Sequence, residues 1–197
     1  MLKAGIRIYF VRHGETDWNK AQRYQGQRDI PLNATGRSQA ARNGQALAAV
    51  LGGDAASLDH VSSPLLRARE TIEIMRAKLG LPPGGYRCDD RLREVHYGHW
   101  EGELWHELPV RDPAGFAARE ADKWGWQPKG GESYRELSAR VGGWARDVGG
   151  DSLVVAHGGV MRVLRGLCLD LSPAEMFRLD VPQDKVLLLE AGRERWL

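Results

Sequence analysis

Residues 6 to 19 read IRIYFVRHGETDWN. Ile6 to Val11 are rich in β-branched and aromatic residues in the manner of a strand, and Arg12, His13 and Gly14 come directly after it, where the strand gives way to a loop. The same arrangement recurs in DSLVVAHGGVMRVLRGLCL, residues 151 to 169: a strand at 152–156, a tight His-Gly-Gly and a helix. LDHVSSPLLRARETIEIMRAKLG, residues 58 to 80, offers a short strand near 59–62, then Ser63 as a helix cap, Pro64 at the first helical position and Gly80 as the stop. Thr35 and Gly52 bracket a further helix, Ser133 and Glu136 form a capping box, Ser172 and Glu175 a second one, and 185–190 reads as a last strand. Strands alternating with helices predict a mainly parallel sheet covered on both faces, with ligands at the carboxyl ends of the strands. The three loops carrying Arg12 and His13, Ser63 to Arg67, and His157 then share one edge.

Composition narrows the classes. At 197 residues the chain suits one domain, 1–197, without repeats or linkers. Lys plus Arg number 28 against 26 Asp plus Glu, a net charge of +2 that gives no field for nucleic acid or an anionic membrane, so an anion site must be local. Cys88 and Cys168, the only two cysteines, are too few for a disulfide framework or a thiolate zinc site. No apolar run approaches the length of a membrane span or a secretory core, and the expectation is a cytoplasmic protein with free thiols.

The residue types on the shared edge point to phosphoryl chemistry. Arg12 and Arg67 each present a planar fork of donors matched to phosphate oxygens. Helix N-termini at Arg67 and after His157 add positive potential, so the site suits a dianion. Neighbouring cations hold His13 neutral, and a neutral imidazole is a nucleophile able to attack phosphorus. Alkoxides leave poorly, which calls for a general acid; Glu15, Asp17, Glu94, Glu101 and Glu103 all qualify on spacing. The group that orients His13 is not legible.

RHGETDWN, QGQRDIPLNATGRSQA, SSPLLRARET, LREVHYGHWEG, PKGGES and VVAHGG, in this order from residue 6 to about 160, resemble the histidine phosphatase superfamily, the phosphoglycerate-mutase-like proteins. The resemblance implies a three-layer α/β/α sandwich with a mostly parallel sheet. It implies His13 as nucleophile, Arg12, Arg67 and His157 as phosphoryl ligands, and Glu94 as the acid that later activates water. It also sets Asn19, Gln25, Gly26 and Gly158 beside the phosphate pocket. No cofactor or metal is implied.

Within the family, a mutase returns the phosphoryl group to bound substrate, whereas a phosphatase passes it to water. Mutases usually carry Arg directly after the catalytic Glu, where Val95 stands here, and paired arginines in a longer middle segment, where only Arg111, Arg119, Lys123 and Lys129 are scattered. The pattern resembles the phosphatase branch: a phosphomonoesterase using a phosphohistidine, with a small-molecule phosphomonoester as partner and at most a second copy of the chain in a homodimer. Residues 102–131 are expected to cover the mouth of the site, and Trp100, Trp105, Trp124 and Trp126 are candidates for an apolar wall. The alternatives are a cofactor-dependent phosphoglycerate mutase, a non-catalytic binder of phosphorylated ligands, and a metal hydrolase using His96, His99 and His106, whose spacing fits no common zinc pattern.

Overall fold

A computed structural model describes residues 2–197. In chain order the elements are β1 (Ile8–Arg12), α1 (Asp17–Lys20), α2 (Ala34–Leu51), β2 (Asp59–Ser62), α3 (Leu66–Lys78), β3 (Arg87–Cys88), α4 (Leu108–Arg111), α5 (Pro113–Ala121), α6 (Tyr134–Asp147), β4 (Ser152–Ala156), α7 (Gly158–Leu169), α8 (Pro173–Met176), β5 (Leu187–Glu190) and β6 (Arg193–Trp196). The strands form one sheet in the order β3-β2-β4-β1-β5-β6. Its pairs β1–β4, β2–β4 and β2–β3 are parallel, and β5 and β6 join antiparallel at one edge.

Period-two alternation sends neighbouring strand residues to opposite faces. Ile8, Phe10, Val154, Ala156, Leu187 and Leu189 pack with Leu137, Val141 and Trp144 of α6 and Val160 and Leu164 of α7. Tyr9, Val11, Leu153, Val155 and Leu188 pack with Leu47 of α2 and Ala68, Ile72 and Met75 of α3. Helices therefore cover both faces of a mostly parallel sheet, the three-layer α/β/α arrangement. β4 lies at the centre and is buried throughout, which its unbroken apolar run requires.

Several local readings shift. The cap of α2 is Asn33, not Thr35; its side chain accepts from the Gly36 amide and an Asx cap outranks an unengaged threonine. Helix α3 begins at Leu66 behind Leu65, so Ser63 and Pro64 lie before it rather than on its first turn. Ser63 is committed elsewhere, as described below. The last strand runs Leu187–Glu190 rather than from 185, and turns through Gly192, at φ +74, into β6. Both capping boxes, Ser133 with Glu136 and Ser172 with Glu175, are formed.

The parallel register fixes the site. Arg12 lies opposite Ala156, and Ser62 opposite Val155. One further rung on each side, His13 N–H to Ala156 O at 2.9 Å and Ser63 N–H to Val155 O at 2.9 Å, carries the ladder beyond the strand ends. His13, Ser63 and His157 emerge side by side from three adjacent strands.

Candidate active site

A cavity of about 210 Å³ opens at this edge, and His13, Arg12, Arg67 and Glu94 all line it. Asn19, Gln25, Gly26 and Gly158 line it too. It continues outward into a cavity of about 850 Å³, with which it shares Arg12, Arg23, Arg162, Tyr24 and Tyr97.

His13 is almost fully buried. Its Nδ1 lies 2.7 Å from the carbonyl of Gly14, which accepts only if Nδ1 carries the proton. That hydrogen bond is the orienting contact missing from the sequence, and it leaves the Nε2 lone pair free. The Arg67 Nε–H donates to that lone pair at 3.2 Å. Burial, then Arg67, then Arg12 push the His13 pKa well below its ordinary value, so the ring is neutral at pH 7.

Arg67 is fully buried. Its NH1 donates to Arg28 O at 2.7 Å and its NH2 to Gly26 O at 2.8 Å. Burial pushes its pKa down to about 10, which still leaves it charged at neutral pH. The loop at 26–28 thus holds the fork flat while two N–H groups remain for a ligand. Gly26 has φ +50, and a Cβ there would fall 2.0 Å from Glu101 Oε1, so this turn admits no side chain. Arg12 is tied by NH1 to Val181 O at 2.8 Å, while its buried Nε has no hydrogen-bond partner. Burial lowers its pKa as well.

The five candidate acids separate. Glu15 accepts from Asn33 Nδ2, Glu101 from the Gln27 and Tyr97 amides, and Glu103 pairs with Arg111. Asp17 lies 3.4 Å from Asn33 Nδ2. Only Glu94 lines the inner cavity. Both its oxygens accept from the Gly159 amide at the start of α7, at 3.1 and 3.2 Å. Its backbone is pinned because Glu94 O accepts from Gln27 Nε2 and from Arg140, and Arg140 is itself paired with Glu132.

His157 is fully buried and lies behind His13, ring centroids 5.2 Å apart, rather than on the cavity wall. Its Nε2 meets Ser63 Oγ at 2.7 Å and its Nδ1 has no partner. Burial and the arginines push its pKa well down. One buried ring nitrogen of His157 thus stands without a partner beside His13. Asn19 Oδ1 accepts from the Thr16 amide at 3.2 Å and from Gln183 Nε2 at 3.1 Å, and Gln25 Oε1 accepts from Thr16 Oγ1 at 2.9 Å. Both amides thus have their oxygens engaged and retain NH2 donors for a ligand.

Ser63 and Gln183 are the residues sequence reasoning missed. The local pattern marks Ser63 only as a cap, and Gln183 comes from the loop before β5, where its amide donates to His13 O at 2.9 Å. Nothing in either local pattern announces this. Of the four tryptophans, Trp105 alone lines the outer cavity; Trp100 is buried against Trp126 with ring centroids 4.3 Å apart, and Trp124 packs on the core. The ring-bearing walls come instead from Tyr24, Tyr97, Tyr134, Phe116 and Phe177. His96 donates nothing to a metal cluster either: its Nδ1 accepts from the Gly98 amide, and His99 meets Asp112. Among the described residues no group of three or more His, Cys, Asp or Glu is placed to hold a metal ion.

This geometry has known counterparts. Residues 8–197 match the family described as the histidine phosphatase superfamily, branch 1. The chain belongs to that superfamily. It is 35% identical over 181 residues to glucosyl-3-phosphoglycerate phosphatase of Mycobacterium tuberculosis, covering 85% of this chain and 77% of that one. It is 36% identical over 163 residues to a metal-independent phosphoserine phosphatase of Arabidopsis thaliana, with 80% and 66% covered. The crystal structure of the alpha-ribazole phosphatase from Shigella flexneri superposes with a TM-score of 0.79 at 28% identity, over 93% of this chain and 89% of the other. No helix of the described residues is long and apolar enough to cross a membrane.

Proposed function

We propose that this histidine phosphatase hydrolyses small-molecule phosphomonoesters through a phosphohistidine at His13. The observation that carries the reading is the cavity in which a neutral, oriented imidazole, the buried guanidinium forks of Arg12 and Arg67 and the Glu94 carboxyl group meet. Superfamily members named as phosphatases for three different phosphorylated small molecules support the same chemistry.

In the first step the substrate's phosphoryl oxygens take the free donors of Arg12 and Arg67; His157, behind His13, backs the imidazole rather than lining the cavity. Arg67 turns its Nε–H from His13 to the phosphate. The Nε2 lone pair then attacks phosphorus, the ester P–O bond breaks, and the protonated Glu94 carboxyl gives its proton to the departing alkoxide, a transfer worth about 10²- to 10⁴-fold in rate. In the second step the Glu94 carboxylate takes a proton from water, the water oxygen attacks phosphorus, and the P–N electrons return to Nε2. The sum is ester plus water giving alcohol plus phosphate.

The whole chain is read as one domain in which residues 102–131 shield the mouth and choose the alcohol. Trp105 is bound to Gln22 by backbone and side chain at 3.1 and 3.0 Å, and Phe116, Arg119 and Lys123 line the outer cavity. The test is release of phosphate from p-nitrophenyl phosphate in EDTA by wild type and His13→Ala. Activity that survives EDTA and vanishes in the variant is expected. Full activity in the variant, or loss under EDTA, would overturn the reading. Phosphate release from 3-phosphoglycerate, rather than isomerisation when 2,3-bisphosphoglycerate is supplied, separates phosphatase from mutase.

A further inference from the structure

Helix α8 and strand β5 are joined by an irregular loop, residues 177–186. Two of its residues, Val181 and Gln183, reach the site. Val181 O accepts from Arg12 NH1 at 2.8 Å, and Gln183 Nε2 donates to His13 O at 2.9 Å and to Asn19 Oδ1 at 3.1 Å. Pro182 stands between them, and its ring fixes φ and leaves the tripeptide little freedom. The loop is anchored in turn, because Gln183 O accepts from Asn43 Nδ2 at 3.0 Å. Asn43 lies buried within α2, where an amide costs both helix propensity and desolvation unless it finds a partner. Its partner is this loop.

These bonds set orientation as well as distance. A main-chain carbonyl only accepts, so the Gln183 amide must turn its nitrogen to His13 O. The same nitrogen then needs an acceptor from Asn19, and the Thr16 amide, 3.2 Å from the same Asn19 atom, needs one too. Asn19 therefore turns its oxygen inward and keeps its NH2 for the cavity that it lines. The peptide between His13 and Gly14 is held on both sides, by Gln183 on the carbonyl and by Thr71 Oγ1 on the Gly14 N–H at 3.1 Å. His13 Nδ1 bonds to Gly14 O, so a tilt of this peptide swings the imidazole with it. We propose that Gln183 is a positioning residue for phosphoryl transfer: one amide nitrogen aims the His13 ring and sets which end of Asn19 meets the phosphate, while Asn43 holds Gln183 from α2. Gln183 lines neither cavity of the site, so it acts through His13 and Asn19 rather than on the substrate. This rests on the phosphohistidine reading above.

The test uses p-nitrophenyl phosphate and inorganic phosphate. The single-turnover rate of nitrophenolate release at saturating ester reports attack by His13, and the inhibition constant of phosphate reports the hold of Asn19. Gln183→Met keeps the bulk of the side chain and donates nothing. Its single-turnover rate should fall at least about tenfold, within the about 10²-fold of a 1 Å displacement. Its phosphate inhibition constant should rise at least about threefold, as loss of one hydrogen bond does. Asn19→Ala should raise that constant as much or more; adding Gln183→Met should raise it no further while still slowing attack. Asn43→Ala, which removes only the anchor, should slow attack about threefold. A thermal melt accompanies each variant, since lost stability alone leaves the rate constant of the folded protein unchanged. Wild-type values in Gln183→Met overturn the proposal. A double variant whose inhibition constant rises by the product of the two single effects overturns it too, because Asn19 would then not be oriented through Gln183. If Gln183→Met does not fold, Asn43→Ala decides, and wild-type values there overturn the proposal. Every comparison is a ratio to wild type; a wild type that leaves p-nitrophenyl phosphate intact would defeat the phosphatase reading itself.

Discussion

Glu94 is held against Gly159 so closely that one methyl group tests its role. A Cβ at position 159 would lie 2.5 Å from Glu94 Oε1 and 3.3 Å from Leu137 Cδ2. Ordinary carbon contacts begin near 3.5 Å, so in Gly159→Ala the carboxyl must withdraw by about 1 Å. The two bonds from the Gly159 amide, at 3.1 and 3.2 Å, lengthen with it. Folding changes little, because alanine in the first turn of α7 gains about 1 kcal/mol of helix propensity against a modest contact with Leu137. A 1 Å displacement of a catalytic group costs about 10²-fold, and complete loss of the acid about 10²- to 10⁴-fold. For an alkyl phosphate such as glycerol 3-phosphate, kcat/KM should therefore fall by about 10² or more. Nitrophenolate needs no proton to leave, so kcat/KM for p-nitrophenyl phosphate should stay within about threefold of wild type. Its steady-state kcat falls, since water still requires Glu94 as base, and a burst of nitrophenolate appears. Steady-state and stopped-flow assays on both esters, with a thermal melt as control, measure this. Equal losses on both esters, or no loss on the alkyl ester, would refute the assignment of Glu94.

Arg67→Lys keeps a charge but cannot serve His13, Gly26 and Arg28 together. With charge-assisted bonds worth about 1.5–3 kcal/mol each, it should lower kcat/KM by at least about 10²-fold and reduce the melting temperature; wild-type kinetics would contradict the fork geometry. Ser63→Ala removes the hydroxyl on His157 Nε2, and should lower kcat about tenfold while KM changes little, as an orienting contact does. His13 and His157 both have folded pKa values pushed below the unfolded value of about 6.5, so the unfolded chain binds more protons and stability falls as pH drops below that point. Denaturant unfolding at pH 7.5, 6.5 and 5.5 should show a loss steepening to about 1.4 kcal/mol per pH unit per histidine, shallower in His13→Gln; a flat profile would contradict their neutral burial.

The sequence and the structure agree where local pattern and burial coincide. β1 and β4 were legible because strands covered on both faces are made of unbroken apolar residues, and their carboxyl ends located Arg12, His13 and His157 without further information. β3 has only two residues, Arg87 and Cys88, both exposed, and β6 alternates charge with partial burial, so neither carried an apolar signal. The starts of α2 and α3 each lie two residues from where caps at Thr35 and Ser63 would set them, because Asn33 takes the Gly36 amide in α2 and α3 begins behind Leu65 with no side-chain cap. Glu94 could not be separated from four neighbouring carboxylates by spacing alone; what separates it is the Gly159 amide, which arrives from 65 residues away. Gln183 is silent in the sequence for the same reason, since its meaning lies in the His13 carbonyl that the fold sets opposite it.

On the proposed mechanism, phosphorus becomes bonded to His13 Nε2 during turnover. Acid-sparing rapid quench of the protein mixed with a ³²P-labelled phosphomonoester, followed by alkaline peptide mapping, measures it directly. An acid-labile, alkali-stable label is expected on His13, formed within one turnover, accumulating in Gly159→Ala and missing from His13→Ala. Turnover that proceeds with no label at position 13, or with the label on another residue, would contradict it.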